Sequence, residues 1–317
     1  MSDKPFFPIA IDSTTLGTFR SCPQKAFRTY VQHWKPATES VHLVAGGAFA
    51  EGVEQARRAY YERNLPQDVA VAEGLRALIG KYGDFECPPD SAKSLERTCG
   101  ALEFYFESYP LGGDGATPVS FPGGCTGIEF SFAVPLPVDH PVTGEPLLYT
   151  GRSDMIADFA GGTYIYDEKT TTSLGPSWAR QWEMRSQFTG YCWAARHYGI
   201  EAAGVIIRGV SILKTKYDTQ QVITYRSPYE VDRWLDQTCR DLERMIKCWE
   251  SDWSDYNLDH ACSEYGGCAL QTVCKSPDPE TWLQAYFHQR VWNPLAREEQ
   301  TVEEWNQFMA EHHAQAL

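Results

Sequence analysis

The stretch Gly151–Thr172, GRSDMIADFAGGTYIYDEKTTT, constrains the fold most strongly, because two short apolar segments within it each carry acidic residues. Residues 147–159 and 163–170 are both typical of strands, and the Gly161-Gly162 pair between them predicts a tight hairpin. A charged side chain in a strand is unfavourable unless it faces water, is paired or holds a metal ion. The hairpin therefore either exposes these charges or gathers them for chemistry.

Two carboxylates and a lysine are expected to meet on one face of this hairpin. Side chains alternate along a strand, so Asp167 and Lys169 share a face, and Asp154 on the partner strand can lie across from them. Carboxylates this close repel each other unless a divalent cation lies between them, and Mg²⁺ or Mn²⁺ there would stabilise charge on a phosphate. Lys169 would orient the attacking water or neutralise the developing charge. A solvated hairpin end with an Asp–Lys ion pair is the alternative interpretation.

The order of the predicted elements indicates an α/β fold, a sheet flanked by helices. We expect a single domain over residues 1–317, with a helical insert at about 68–124 and a cysteine-bearing tail at about 255–317. The predicted helices cover residues 13–30, 45–63, 68–82, 91–109, 177–198 and 229–249, and the predicted strands cover residues 126–137, 147–159, 163–170, 205–213 and 221–225.

Composition narrows the class of protein. The chain has 317 residues with ten Trp and seventeen Tyr, which is ample for a packed core. Its net charge of −14 gives no general attraction for nucleic acid, so any such site must be a local patch. No secretory leader and no apolar run of roughly 20 residues is evident, so we expect a cytoplasmic protein without membrane contact.

The motifs of the hairpin resemble those of the PD-(D/E)XK nuclease superfamily, and within it the RecB-like branch. That branch carries a Gly-x-x-Asp strand, here residues 151–154, followed by an Asp-x-Lys-Thr strand, here residues 167–170. A helix with Gln-x-x-x-Tyr comes next, matched here by Gln187 and Tyr191, which share one helical face. The resemblance implies a restriction-endonuclease-like core with a central mixed β-sheet flanked by helices.

The resemblance also implies roles for single residues. Asp154 and Asp167 would bind Mg²⁺ or Mn²⁺ together with the backbone carbonyl of Glu168, and Lys169 would assist the attacking water. Gln187 and Tyr191 would touch DNA or brace the metal site, although the apolar stripe around them also fits core packing.

One position departs from the family pattern. The family often has a His in a Gly-x-x-x-His context on the second helix, where this chain has Glu51. A Glu can ligate a hard cation as well as a His can. It is equally a residue favoured near a helix N-terminus, so both roles stay open for Glu51.

The cysteines form a second motif. Cys262, Cys268 and Cys274 follow a C-x5-C-x5-C spacing near the C-terminus, and Cys22 precedes a Pro near the N-terminus. Nucleases of the AddB type and their CRISPR-associated relatives hold a [4Fe-4S] cluster with such a set, which joins the N- and C-terminal segments. Their first gap is usually shorter, C-x2-C, so the match at Cys262 is imperfect. Four thiolates also suit zinc, and scattered reduced thiols are the third interpretation.

Basic and aromatic residues near the predicted site are expected to contact DNA, although the same residues fit an ordinary charged surface. They are Arg152, Trp178, Arg180, Trp182 and Arg185.

The resulting hypothesis is a Mg²⁺- or Mn²⁺-dependent deoxyribonuclease. By resemblance it would be an exonuclease on single-stranded or free DNA ends in phage or bacterial recombination, repair or replication, with a partner protein from one of those processes. The alternatives are a non-cleaving DNA-binding or assembly protein on the same fold, with a structural iron–sulfur or zinc site, and a zinc-stapled interaction protein.

Overall fold

The computed structural model describes residues 6–314, apart from 123, 254, 264–266 and 297. The strands, numbered in chain order, are β1 (Ala10–Asp12), β2 (Trp34–Pro36), β3 (Thr117–Pro118), β4 (Ile128–Asp139), β5 (Pro146–Phe159), β6 (Gly162–Thr171), β7 (Ala202–Ile212), β8 (Tyr217–Tyr225), β9 (Phe287–Gln289), β10 (Val291–Asn293) and β11 (Glu298–Gln300). The helices are α1 (Ser13–Ser21), α2 (Pro23–Ala26), α3 (Val41–Arg57), α4 (Gln67–Tyr82), α5 (Leu95–Ser108), α6 (Pro176–Arg180), α7 (Ser186–Arg196), α8 (Pro228–Glu250), α9 (His260–Ser263), α10 (Gln271–Lys275), α11 (Pro279–Tyr286) and α12 (Val302–Ala314). Segments of π-helix, Phe27–Val31 and Arg58–Glu62, extend α2 and α3.

Contacts between residues divide the chain into two compact units, each built from separate segments. One, here called the terminal unit, comprises residues 1–38, 132–151 and 232–317, and the other, the central unit, comprises residues 39–131 and 152–231. The composition of the sequence does not change at these boundaries, so a single domain is what the sequence alone predicts.

The central unit contains the mixed sheet that the sequence predicts. The hairpin strands β5 and β6 pair antiparallel, with Met155 opposite Tyr166. Strand β7 runs parallel to β6, with Glu168 opposite Arg208, and β8 pairs antiparallel with β7. The parallel pair requires a crossover, which α6 and α7 supply between β6 and β7. The α/β class with a central mixed sheet is therefore confirmed.

The turn of the hairpin lies one residue earlier than the glycine pair indicates. Phe159 pairs with Gly162, so Ala160 and Gly161 form the two-residue turn, with φ angles of 49° and 83°. Two positive φ angles in succession match the right-handed twist of the flanking strands, and Gly161 adopts its angle without steric cost. The tight hairpin itself is confirmed.

Helices α3, α4 and α5 share one apolar cluster in the central unit. Buried residues recur on α3 with helical spacing, as at Ala45, Phe49 and Val53. Gly52 and Gly74 allow α3 and α4 to approach closely, because a Cβ built on Gly74 would lie 2.5 Å from the Gly52 carbonyl oxygen. The predicted insert thus begins with a helix that packs directly on α3.

The terminal unit has its own sheet pairings and small apolar clusters. Strand β1 runs parallel to the first part of β5, with Ile11 opposite Tyr149. Strand β2 pairs with β9, and β10 pairs with β11. Leu270, Val273 and Leu283 form a buried cluster. In the described ranges, no helix combines the length and the apolar character that a membrane span requires.

Two predicted helices are interrupted. The helix expected over residues 13–30 breaks at Cys22, whose backbone is extended, and α2 begins at Pro23, which has no N–H to continue the ladder. The helix expected over residues 177–198 divides into α6 and α7. Between them the Trp182 carbonyl accepts a 3.3 Å hydrogen bond from the backbone N–H of Arg185 and a 2.9 Å hydrogen bond from Nη2 of Arg226, which lies far away in the sequence.

Candidate active site

The two acidic residues of the hairpin and its lysine lie together in the central unit. Alternation along β6 places Asp167 and Lys169 on one face, where Lys169 Nζ forms an ion pair with Asp167 Oδ1. Asp154 on β5 accepts a 2.7 Å hydrogen bond from the backbone N–H of Glu168 through its Oδ2 atom. The hairpin therefore connects the residues of both motifs directly.

The negative charges of the two carboxylates at this site are unfavourable in the metal-free protein. Burial, and next the neighbouring carboxylate of Asp167, raise the pKa of Asp154 well above its ordinary value. Burial also raises the pKa of Asp167, against the opposing charge of Lys169. The pKa of Lys169 is itself raised, because Asp167 and Asp154 outweigh the effect of burial. Lys169 is thus a permanent cation, and one cation does not offset both carboxylates.

The Glu168 side chain lies in a buried polar network with Arg57 and Tyr105. Arg57 Nη1 donates a 3.0 Å hydrogen bond to Glu168 Oε2, and Arg57 Nη2 donates to Glu168 Oε1. The Tyr105 hydroxyl donates to Glu168 Oε1 at 2.9 Å. Burial alone would raise the pKa of Glu168, but the Arg57 guanidinium outweighs it and holds that pKa below its usual value. The Glu168 side chain is thus held by Arg57 and Tyr105, and it also lies close enough to Asp154 for the two carboxyls to affect each other's pKa.

Helix α7 brings its two motif residues to the same face as Asp167. Gln187 Nε2 donates a 3.1 Å hydrogen bond to the Tyr191 hydroxyl. Burial raises the pKa of Tyr191 to about 12, and Asp167, Lys169 and Asp154 all lie near enough to influence it. The structure thus brings Gln187 and Tyr191 together with the hairpin residues.

Two further acidic residues lie in the central unit with different partners. Glu51 accepts a 3.2 Å hydrogen bond from Gln55, one turn later on α3. Glu129 on β4 has a φ angle of 52°, rare for a residue other than Gly, and its Oε2 atom pairs with Arg152 Nε at 2.6 Å. Burial raises the pKa of Glu129 to about 7, although Arg152 opposes the shift.

The predicted DNA-contacting residues differ in accessibility. Arg180 and Arg185 are exposed, and Arg185 lies near enough to Asp167 to affect its pKa. Arg152 is about half exposed but is paired with Glu129. Trp178 and Trp182 are 8% and 6% exposed, so little of either ring is accessible.

Both rings are part of the core. Their centroids lie 5.4 Å apart, and Trp178 covers the space that a Cβ on Gly209 would occupy. Neither ring offers the open face that stacking on a base requires.

Four cysteines of the terminal unit line one cavity. Cys22, Cys262, Cys268 and Cys274 border a space of about 370 Å³, together with Leu270 and other residues. Burial, and then the neighbouring thiols of Cys268, Cys22 and Cys262, raise the pKa of Cys274. Within the described ranges, however, no group of three or more His, Cys, Asp or Glu side chains is arranged to hold a metal ion, either here or at the hairpin.

Arg57 and Tyr105 are the site neighbours that the sequence reasoning missed. Each occupies a position on the apolar stripe of its helix: Arg57 follows Phe49 and Val53 on α3, and Tyr105 follows Leu102 on α5. A charged residue on an apolar stripe requires a buried partner. That signal was present in the sequence, but it does not identify the partner.

Comparisons with known proteins agree with the geometry of the hairpin. The family model of the PD-(D/E)XK nuclease superfamily matches residues 13–275. A search of curated proteins finds no match.

Two solved structures are similar to this chain. The crystal structure of a "putative exonuclease" from Eubacterium rectale is 14% identical, covers 87% of this chain and 93% of its own, and has a TM-score of 0.47. The crystal structure of SSO0001 is 16% identical, covers 63% of this chain and 74% of its own, and has a TM-score of 0.29.

The family match extends over most of the sequence and includes both strands of the hairpin and helix α7. Members of this superfamily are nucleases that act on DNA, typically with divalent metals such as Mg²⁺ or Mn²⁺. The chain belongs to the PD-(D/E)XK nuclease superfamily.

Proposed function

We propose that this protein is a Mg²⁺- or Mn²⁺-dependent nuclease that hydrolyses phosphodiester bonds of DNA at the β5–β6 hairpin. The observation that carries the proposal is the grouping of Asp154 and Asp167, both with a raised pKa, beside the single cation Lys169. A divalent cation would relieve the repulsion between the two carboxylates. Their oxygen atoms are the ligands that such hard cations prefer.

Each residue of the site would have a distinct role. Asp154, Asp167 and the Glu168 carbonyl would hold the cation, and Glu51 is proposed as a further ligand. The bound cation would supply a Lewis acid that stabilises charge on the scissile phosphate. Lys169 has a raised pKa and therefore stays protonated, so it would orient the attacking water and stabilise negative charge rather than act as a base.

The α7 pair and the nearby arginines would support this chemistry. Gln187 and Tyr191 would keep the Lys169 side chain in position or contact DNA, and their mutual hydrogen bond fixes both side chains. Exposed Arg180 and Arg185 are the proposed phosphate contacts, since an arginine fork suits phosphate oxygens. Arg152 would contact a phosphate only if its ion pair with Glu129 were broken.

The finer assignment is an exonuclease on single-stranded DNA ends with a role in recombination, repair or replication. It rests on the RecB-like order of the motifs, Gly-x-x-Asp, Asp-x-Lys-Thr and Gln-x-x-x-Tyr, in one chain. This is an argument by analogy within the superfamily.

The test compares wild type with Lys169→Ala on end-labelled single-stranded DNA in the presence of Mn²⁺. We expect a ladder of shortened products from wild type and none from the variant. Lys247→Ala, at an exposed position on α8, is the matched control and should cut normally. Covalently closed single-stranded circles should resist an exonuclease. If the wild-type protein is folded and binds Mn²⁺ but cuts neither substrate, the result would instead support a non-cleaving DNA-binding protein.

For the four-cysteine cavity we propose a [4Fe-4S] cluster. The donor set is entirely thiol, and the cavity of about 370 Å³ exceeds the space that a single ion needs. Tetrahedral zinc would require sulfur atoms about 3.8 Å apart, from a Zn–S bond of about 2.3 Å.

This assignment is tested on anaerobically purified protein. We expect broad absorption near roughly 400 nm and about four iron atoms per chain, both lost in Cys268→Ser. Cys125→Ser, at an exposed cysteine outside the cavity, should keep both. A colourless protein with one zinc ion per chain would show that the cavity is a zinc site and not a cluster site. A folded protein without any metal would contradict both assignments.

A further inference from the structure

The buried ion pair between Arg57 and Glu168 is connected to the candidate metal site through Glu168, whose backbone N–H and side chain both lie close to Asp154. Both side chains are almost fully enclosed, at 3% and 1% exposure. Arg57 uses two nitrogen atoms on the two carboxylate oxygens, and its Nη2 atom also donates to the Tyr105 hydroxyl at 3.0 Å. Tyr105 in turn donates to Glu168, so the three side chains form a ring of hydrogen bonds, which Arg208 contacts through Tyr105.

Glu168 transmits this constraint to the other side of the hairpin. Its side chain points to Arg57, while its backbone N–H donates a 2.7 Å hydrogen bond to Asp154 Oδ2. It also stands between Asp167 and Lys169 in the chain, so a rotation of its peptide planes moves both neighbours. The orientation of three candidate active-site residues therefore depends on how firmly the Glu168 side chain is held.

We propose that Arg57 is a positioning residue for the metal site: by holding the Glu168 side chain, it fixes the peptide N–H that orients Asp154. The inference rests on the proposed metal-dependent function. A guanidinium presents two parallel donors that match the two oxygens of a carboxylate, which gives a defined geometry as well as attraction. The role differs from that of a metal ligand, because Arg57 binds Glu168 and Tyr105 and would act on the ion only through them.

A purely structural role for this pair makes a different prediction. A buried ion pair contributes little net stability, and replacing the whole pair with apolar residues of similar size is often neutral or stabilising. If the pair only fills the core, such a replacement should leave metal binding unchanged. If Arg57 positions Asp154, metal affinity should fall even though the protein remains folded.

The first experiment measures Mn²⁺ affinity by calorimetry and by electron paramagnetic resonance, which do not depend on catalysis. Glu168→Gln keeps the side-chain shape and the backbone N–H, but an amide cannot accept from both Arg57 donors. We expect Mn²⁺ affinity to fall at least ten-fold. Asp241→Asn is the control, because it makes the same carboxylate-to-amide exchange at the ion-pair partner of Arg20, in the terminal unit. It should change Mn²⁺ affinity less than two-fold.

The second variant addresses the case in which Glu168→Gln does not fold. Arg57→Met, Tyr105→Phe and Glu168→Leu together remove every polar atom of the ring, and this variant should be folded and still bind Mn²⁺ at least ten-fold more weakly. A folded variant of either kind with wild-type Mn²⁺ affinity would overturn the inference alone. If wild type does not bind Mn²⁺, or if Asp154→Asn does not abolish the binding, the proposed function is overturned and this inference with it.

Discussion

The Tyr191 hydroxyl accepts a hydrogen bond from the Gln187 side-chain amide one turn earlier on α7, at 3.1 Å, and lies near Asp167 and Lys169. The raised pKa of Tyr191 keeps this hydroxyl protonated over the physiological range, so it can itself donate a hydrogen bond. Its position makes it a link between helix α7 and the charged residues of the hairpin.

Replacing Tyr191 with Phe should separate the role of the hydroxyl from that of the ring. We expect the rate of DNA cleavage to fall about ten-fold, the equivalent of one hydrogen bond of about 1.4 kcal/mol, while the free energy of unfolding falls by at most about 1.5 kcal/mol. Tyr198→Phe, at an exposed tyrosine just after α7, is the control and should change neither quantity. Full activity in Tyr191→Phe would leave only a packing role for the ring.

Asp154→Asn should stabilise the metal-free protein at neutral pH. The folded pKa of Asp154 lies well above its ordinary value of 3.8, so the unfolded chain loses this proton at a lower pH than the folded one. As pH rises above that ordinary value, the buried carboxyl therefore lowers stability, and the loss persists at neutral pH. We expect Asp154→Asn to melt higher at pH 7 in EDTA, by roughly 2–4 °C for each kcal/mol recovered.

The pH dependence supplies the check on this prediction. At pH 4 the gain should shrink, because Asp154 is then protonated in the folded wild type. Asp158→Asn, at an exposed position on the same strand, should show no gain at either pH. Added Mn²⁺ should raise the melting temperature of wild type but not of Asp154→Asn. Equal melting temperatures of wild type and Asp154→Asn at pH 7 would contradict the unfavourable burial of this carboxylate.

The neighbouring arginines Arg57 and Arg58 should differ greatly in their effect on stability. Arg57→Ala leaves the Glu168 carboxylate buried without its cation, which costs about 3–5 kcal/mol. Arg58→Ala removes only partly exposed pairs with Glu54 and Glu62, each one turn away, and costs less than about 1 kcal/mol. Urea denaturation of the two variants measures both values, and equal losses would argue against a buried network around Glu168.

The close approach of α3 and α4 predicts opposite effects for two glycines of one helix. Gly74→Ala places a Cβ 2.5 Å from the Gly52 carbonyl oxygen, so the helices must separate, at a cost of about 1–3 kcal/mol. Gly80→Ala meets no atom within 4 Å and should stabilise the helix by up to about 1 kcal/mol. Thermal unfolding distinguishes the two, and a stabilised Gly74→Ala would show that the helices have room to adjust.

The sequence by itself determined the local parts of the active region. Alternation of side chains separates Asp167 and Lys169 from Glu168, and the Gly pair indicates the hairpin, because both depend only on residues close together in the chain. The spacing of Gln187 and Tyr191 likewise predicts a shared helical face, and their hydrogen bond follows from it. Pro23, which interrupts the first predicted helix, was an equally local signal that the periodicity of apolar residues outweighed.

Only the tertiary structure decided the partners that lie far apart in sequence. Arg57 precedes Glu168 by 111 residues, and no periodicity identifies that pair. The same holds for Arg226, which donates a hydrogen bond to the Trp182 carbonyl between α6 and α7. Burial of Trp178 against Gly209 likewise depends on how the crossover packs on β7. Local patterns determine which face of an element a side chain occupies. Its partner is determined by the packing of elements that are distant in sequence. The ion pairs and hydrogen bonds of the charged residues at the hairpin depend on both.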